Sequence, residues 1–324
     1  MTDVAAIAAL VRASRGLAHK GDIAPVVDLL GLSSADAVPV GDDAAAIADG
    51  DGHLLLAIEG FVEDFIAADP WFAGYCGVMV NVSDILAMGG RPIAVVNAFW
   101  ADGMAGAAPM LNGMREAARR YGVPIVGGHS NLRSSGGQLA VAILGRAGCV
   151  VTSFDARPGD TLLMAIDLDG KFRDPFPWWD ASTDATDAHL RSLLTIMPEL
   201  AEQGRISAAK DISMAGPIGT AIMLAESSRV GLDIALDAVP RPAGINWERW
   251  LSAFPSFGFV LTAPPRHAKA VIARFAQANI ACEAVGTVTA QTDVTIRLGG
   301  NSARVWSAAE RLIGCHPILE KRHA

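Results

Sequence analysis

The chain has 324 residues, 51% of them hydrophobic, and a formal net charge of −8. Its length fits about two domains, and its composition fits a packed globule, not a disordered tract. The acidic balance, with no basic block interleaved with aromatics, excludes nucleic acid as the expected partner, and the scattered Cys76, Cys149, Cys282 and Cys315 exclude a disulfide framework or a structural zinc site.

The N-terminus opens on an amphipathic helix over 4–15, stopped by Gly16, not on a secretory signal. A shorter helix follows over 23–30, then a turn-rich acidic stretch over 41–52 and an apolar strand over 53–58. Residues 61–71 read as a loop holding Glu63, Asp64 and Asp69. A helix covers 72–88, a strand 92–99 and a helix 106–121. A short strand over 124–126 runs into Gly127-Gly128-His129-Ser130-Asn131, and an alternating strand covers 138–145. The Pro158-Gly159 turn within 156–160 separates two apolar strands and marks the expected domain boundary. Beyond it come a strand over 161–166, a polar insert over 170–186 with Trp178-Trp179, and a helix over 187–203. The Asp211 segment, its helix over 217–227 and a strand over 231–236 follow. The chain then runs through a strand over 257–261, a helix over 265–277, a strand over 282–288 and a last helix over 303–313. Strands alternating with helices argue for α/β or α+β layers. No run of about 18 apolar residues occurs, so no membrane span is expected. A reducing cytoplasm is the expected location.

Inside the apolar helix over 72–88 stand Asn81 and Asp84, three apart and so on one face. Burying a carboxylate alone is costly, so Asp84 needs a metal, a cation or dense hydrogen bonding. A second acidic cluster, Val40-Gly41-Asp42-Asp43-Ala44-Ala45, lies upstream. Mg²⁺ favours carboxylate and water oxygens and bridges protein to nucleotide phosphates. Phosphoryl transfer depends on positioning and charge neutralisation more than on a covalent protein group. A carboxylate-rich, nucleophile-poor chain suits that reaction. The sequence signatures of P-loop, Rossmann, zincin and α/β-hydrolase enzymes are absent. Plainer readings exist beside these: turn capping for Asp42-Asp43, helix capping for Asp211, a solvated amine for Lys20, a turn position for His129, and a self-packed lid for Trp178-Trp179.

Five segments in order resemble the aminoimidazole ribonucleotide (AIR) synthetase superfamily. They are Val40-Gly41-Asp42-Asp43-Ala44-Ala45, Glu59-Gly60-Phe61-Val62-Glu63-Asp64, Asn81-Val82-Ser83-Asp84-Ile85-Leu86-Ala87-Met88-Gly89-Gly90-Arg91-Pro92, Val126-Gly127-Gly128-His129-Ser130 and Ala208-Ala209-Lys210-Asp211-Ile212-Ser213-Met214-Ala215-Gly216. That superfamily includes thiamine-monophosphate kinase, selenophosphate synthetase and a hydrogenase maturation protein that dehydrates a carboxamide. The resemblance implies a mixed α/β (α+β) fold of two domains. Residues 1–155 would form an ATP-binding domain that pairs with a second subunit into a dimeric β-barrel, and 156–324 an α+β domain closing over the nucleotide. It implies ATP and Mg²⁺ as cofactors, a small-molecule acceptor and a homodimer. Asp42, Asp43, Asp84 and Asp211 would be metal ligands, with Glu59 where the family usually has an aspartate. Asp43, Asn81, Gly89, Gly90, Gly127 and Gly128 would shape the nucleotide site. Lys20, His129 and Asp211 would contact phosphate or move a proton.

Departures bear on which member this is. The His129-Ser130 pair looks like selenophosphate synthetase, yet residues 14–23 hold Lys20 and no cysteine. Residues 21–43 look like thiamine-monophosphate kinase, yet Pro255-Ser256-Phe257-Gly258-Phe259 stands near the place of that kinase's acidic segment. The implied activity is transfer of the γ-phosphoryl group to an acceptor oxygen by a divergent branch. The alternatives are a selenophosphate synthetase-like activity, a catalytically weak ATP-binding partner of another enzyme, and an Mg²⁺-dependent phosphatase.

Overall fold

The computed structural model describes residues 3–32, 38–307 and 309–315. It divides into two compact units, and neither is a continuous half of the chain. One takes residues 43–150 and 185–202; the other takes 1–42, 151–184 and 203–324. A single cut near 156–160 would therefore separate residues that pack together.

The first unit is built on β1 (Ala45–Asp49), β2 (Gly52–Phe61), β3 (Arg91–Asp102), β4 (Ile125–Asn131) and β5 (Arg133–Ala147). They lie in the order β1-β2-β5-β3-β4, antiparallel throughout except for the parallel pair β3 and β4. Alternation sets the faces. Leu55 and Ala57 of β2 and Val141 and Ile143 of β5 are buried, while Leu56, Ile58 and Leu144 point to the open face. The covered face carries the helix Pro70–Ala87, whose residues from Phe72 onward are all buried. A helix that is apolar all round must be packed on all sides. Its entry is fixed by Pro70 in the first turn and by Asp69, which accepts the Phe72 N–H at 3.0 Å. Against it lies the helix Gly103–Tyr121 at backbone distance: a Cβ on Gly74 would stand 1.9 Å from the Met110 carbonyl, and one on Gly113 1.8 Å from the Trp71 carbonyl.

Residues 185–202 belong here because contacts of four arginines tie them to the rest of the unit. Arg119 and Arg120 meet Asp187 at 2.6 and 3.1 Å and hold its carboxyl below the usual carboxylate range. Arg191 donates to the carbonyls of Arg120 and Arg119 at 3.0 and 2.8 Å, closing the C-terminus of the helix Gly103–Tyr121. Arg91 pairs with Glu202.

The second unit holds β6 (Thr161–Ile166), β7 (Lys171–Phe172), β8 (Trp178–Asp180), β9 (Ala208–Asp211), β10 (Gly231–Ala235), β11 (Phe254–Pro255), β12 (Gly258–Ala263), β13 (Ala281–Thr289), β14 (Val294–Leu298) and β15 (Asn301–Trp306). Seven of these form a sheet in the order β15-β14-β10-β13-β6-β12-β9, and the other three form β11-β8-β7. The N-terminal helix Val4–Arg12 buries Val4, Ile7, Ala8 and Val11 along one stripe. Arg12 reaches Glu310 at 2.6 Å and the Val305 carbonyl at 3.2 Å, so this helix belongs with the late strands.

Three local expectations differ from the structure. Residues 303–306, placed in a last helix over 303–313, instead lie in β15, which pairs with β14. Within the expected loop over 61–71 lies the helix Glu63–Ala68, with two acidic residues in its first turn. The segment Gly127-Gly128-His129-Ser130 is strand, paired with β3. Trp178 and Trp179 pack inside their own unit. The Trp179 indole N–H donates to the Asp167 carbonyl at 2.9 Å and its ring meets Trp250 edge-on at 5.3 Å, while Trp178 stacks on Phe176 at 5.6 Å. Among the described residues, no helix is long and apolar enough to cross a membrane.

Candidate active site

The first unit carries Asp43, Glu59, Asn81 and Asp84. Asp84 lies on the helix Pro70–Ala87 and is 4% exposed. One turn earlier, Asn81 is fully buried. Its amide nitrogen donates to the Gly77 carbonyl at 2.8 Å and to the Val141 carbonyl at 3.0 Å, tying the helix to β5. Its carboxamide oxygen is buried with no hydrogen-bond partner. An orphaned carbonyl oxygen costs free energy unless something supplies positive charge or a donor. Oxygen is the donor atom that Mg²⁺ takes, and that ion keeps several waters or phosphate oxygens of its own. The donor chemistry of Asn81 and Asp84 therefore fits the ion. Glu59 is half-buried on β2, opposite Val141 in the ladder. Asp43 is half-buried just before β1. Among the described residues, no three His, Cys, Asp or Glu side chains gather into a protein-only metal cage.

The four glycines divide by cause. Gly89 has φ +71° and follows the helix end at Met88. Its N–H bonds the Leu86 carbonyl at 2.8 Å, and the Gly90 N–H bonds the Ile85 carbonyl at 2.9 Å. This is a Schellman cap, so helix termination accounts for Gly89. Gly90 is held by space: a Cβ there would stand 2.3 Å from Leu55 Cδ1. Gly128 lies against Asn97, where a Cβ would meet the backbone carbonyl at 2.4 Å. Gly127 is exposed, with nothing near its Cβ position. His129 is exposed on the open face of the sheet, in register with Ala98, its ring 5.7 Å from that of Trp100. The sheet stands between it and the helix bearing Asp84.

The second unit carries Lys20, Asp42 and Asp211. Lys20 ends the short helix Arg15–Lys20 and is half-buried. Asp211 ends β9, opposite Phe259, and is 4% exposed. The helix after it starts from Ala215, which makes no side-chain cap, so Asp211 is not its N-cap. The Asp42 carboxylate is fully buried and faces Lys210 Nζ at 3.5 Å. It also accepts the Ser153 N–H at 2.7 Å. Asp42 thus joins two distant stretches of one unit through a buried ion pair. Lys210 was not singled out from the sequence. The available signal was a lysine inside the short, otherwise small-and-acidic strand Ala208–Asp211.

Family models match in the same order as the segments above: AIR synthase related protein, N-terminal domain, over 41–147, and AIR synthase related protein, C-terminal domain, over 161–299. The chain belongs to the AIR synthase related family. It is 45% identical to an uncharacterized protein of Synechocystis over 90% of this chain and 92% of that one. It is 30% identical to the selenide, water dikinase of Geobacter metallireducens, over 74% of this chain and 70% of that one. The fold matches PurL of T. maritima complexed with ADP, at TM-score 0.71 and 20% identity, over 84% of this chain and 47% of that one. The chain thus spans under half the length of PurL. It also matches AaThiL complexed with AMPPCP and TMP, at TM-score 0.66 and 20% identity, over 85% of this chain and 93% of that one. The mixed α/β architecture with two domains of this family's type is thereby established.

Proposed function

We propose that the chain catalyses ATP- and Mg²⁺-dependent transfer of a phosphoryl group to an oxygen of a small-molecule acceptor. The observation that carries this reading is the buried, unpartnered carboxamide oxygen of Asn81 one helical turn from the buried Asp84. Family membership and relatives named for a dikinase or complexed with adenine nucleotides support it. When bound, ATP supplies the phosphoryl group and Mg²⁺ neutralises its charge. Asn81 and Asp84 orient oxygens toward the ion, with Asp43 and Glu59 of the same unit as further oxygen donors. Asp211 and Lys20 belong to the other unit. Gly127, whose Cβ position is open, shares the open sheet face with His129, while Gly89 and Gly90 end the helix that carries Asp84. Asp42 is the anchor of its unit, held by Lys210. A proton-moving role for His129 would act on the open sheet face.

Asp84→Asn tests the reading, because it keeps the shape and removes the charge. Mg²⁺-dependent nucleotide turnover is expected to fall by about two orders of magnitude, as for loss of a group that neutralises transition-state charge. Unchanged turnover in a folded Asp84→Asn protein sinks it.

A second reading is an ATP-binding partner of another enzyme with weak catalysis. Engagement of Asp42 by Lys210, which occupies one expected metal carboxylate, favours it. Vigorous turnover with any acceptor removes it. A selenophosphate synthetase-like reaction is disfavoured by the placement of the thiols: Cys76, Cys282 and Cys315 are buried, Cys149 is exposed, and none stands near Lys20 in the sequence.

We propose also that a second copy of the chain covers the open face of the β1–β5 sheet. Leu56, Ile58, Val96 and Leu144 stand 47, 69, 42 and 37% exposed on that face. Cross-strand pairing joins them into one patch, and contiguous exposed apolar surface of this kind marks an association site.

A further inference from the structure

Residues 309–315 hold no helix or strand, yet they pack onto the seven-stranded unit as a strap. Leu312, Ile313 and Cys315 are buried in the cluster that also holds Ile222 and Ala225 of the helix Gly216–Ser228. Near the end of that helix, the half-buried Glu226 turns its carboxylate to the strap. It accepts the N–H groups of Leu312, Ile313 and Gly314 at 3.1, 3.0 and 3.0 Å. Successive backbone N–H groups that converge on one anion form a nest, and hydrogen bonds to a charged acceptor are the strong ones. The ion pairs Arg311–Asp28 and Arg12–Glu310 are exposed, and pairs of that kind contribute little. At its far end the strap seats Cys315 on Gly41. A Cβ on Gly41 would stand 2.4 Å from Cys315 Sγ, so the thiol fills space that a side chain there would take. The next residue is Asp42, which faces Lys210 at 3.5 Å and accepts the Ser153 N–H at 2.7 Å. One run of contacts therefore joins Glu226, the strap, the Gly41-Asp42 turn and Lys210.

We propose that residues 309–315 are a latch: shut, it seats the Gly41-Asp42 turn against Lys210; open, it frees that turn and bares the Cys315 thiol. Glu226 is the positioning residue that holds it shut. Three backbone donors of the strap depend on this one carboxylate, so the strap has a single main point of release. Closely packed contacts of this kind switch between discrete arrangements and do not deform continuously. Coupling between two places is reciprocal, so what loosens the strap also loosens Asp42. Asp42 is the last residue of this unit before the chain passes to Asp43 of the other, so an open latch loosens the first member of that acidic pair. All the contacts of the latch lie in one unit, and no ligand takes part. The inference therefore goes beyond the nucleotide reading and stands apart from it.

The test labels the full chain with iodoacetamide under native conditions and without nucleotide, in a Cys149→Ser background that removes the exposed thiol. The rate at each cysteine is read by peptide mass. A buried thiol reacts from its open population, so slow labelling of Cys315 is expected while Glu226 is in place. Glu226→Gln keeps the shape and removes the charge. It is expected to speed labelling of Cys315 by about ten-fold or more, as for a lost hydrogen bond to a charged group. The rate at Cys282, buried in β13 of the same unit, is expected to stay as it was. Hydrogen exchange of the Ser153 N–H, far from the strap in sequence and bonded to Asp42, is expected to quicken together with Cys315. Should Glu226→Gln fail to fold, Glu226→Asp, which keeps the charge and shortens the reach, is read in the same way. Unchanged labelling of Cys315 in the folded variant, equal speeding at Cys282, or undiminished protection of the Ser153 N–H overturns the proposal.

Discussion

Asp42→Ala is expected to destabilise the seven-stranded unit by about 1–3 kcal/mol, the usual cost of taking away one partner of a buried hydrogen-bonded group. The Asp42 carboxylate is fully buried against Lys210, whose own side chain is 7% exposed. Removing the acid takes away one of the groups that face an ammonium with little access to water. It also frees the Ser153 N–H, which donates to the same carboxylate at 2.7 Å. Thermal unfolding reads the effect, at about 2–4 °C per kcal/mol for a unit of this size. Asp42→Ala with Lys210→Met should recover much of the loss, because apolar replacement of a whole buried pair is often neutral. The loss is expected with or without Mg²⁺. A loss seen in Mg²⁺ alone, or one below about 0.5 kcal/mol as at ordinary surface sites, would show that Asp42 serves the ion and not the fold.

The second large effect concerns association. Wild-type protein is expected to run at twice the monomer mass by light scattering, and Ile58→Lys with Val96→Lys at the monomer mass. Ile58 and Val96 face each other across Ala142 of β5 on the open side of the sheet. Two ammonium groups there would have to be desolvated in any interface that covers the patch, at several kcal/mol each. Both positions are exposed in the single chain, so the fold and its circular dichroism should be unaffected. A wild-type monomer, or a variant that remains dimeric, removes the open face as the interface.

Local chemistry was legible where it dominates. The helix over 72–88 is nearly the helix Pro70–Ala87, because the apolar run is bounded by an Asp69 cap and a glycine stop. The glycine pair after it signals an ending, which the Schellman bonds account for. Non-local pairing was not legible. Residues 301–306 become strand because Val305 and Trp306 are buried beside β14, and tertiary burial overrides propensity. His129 joins a strand through parallel pairing with β3, a connection that needs the intervening helix Gly103–Tyr121. The residues of the candidate site were legible as a set of acids and glycines, but not in their separate duties. Asp42 and Asp43 are adjacent in sequence, yet they fall in different units. Only the fold reveals that a lysine 168 residues later, Lys210, faces the first of them. The exchange of segments between units was hidden for a related reason: it rests on Arg119, Arg120 and Arg191, surface-type residues whose partners are set by packing.

The central claim is that this chain holds a nucleotide through Mg²⁺. Calorimetric titration of the wild-type protein with a non-hydrolysable ATP analogue, with and without Mg²⁺, tests it most directly. Saturable binding that requires Mg²⁺ is the predicted result; no binding under either condition would contradict it.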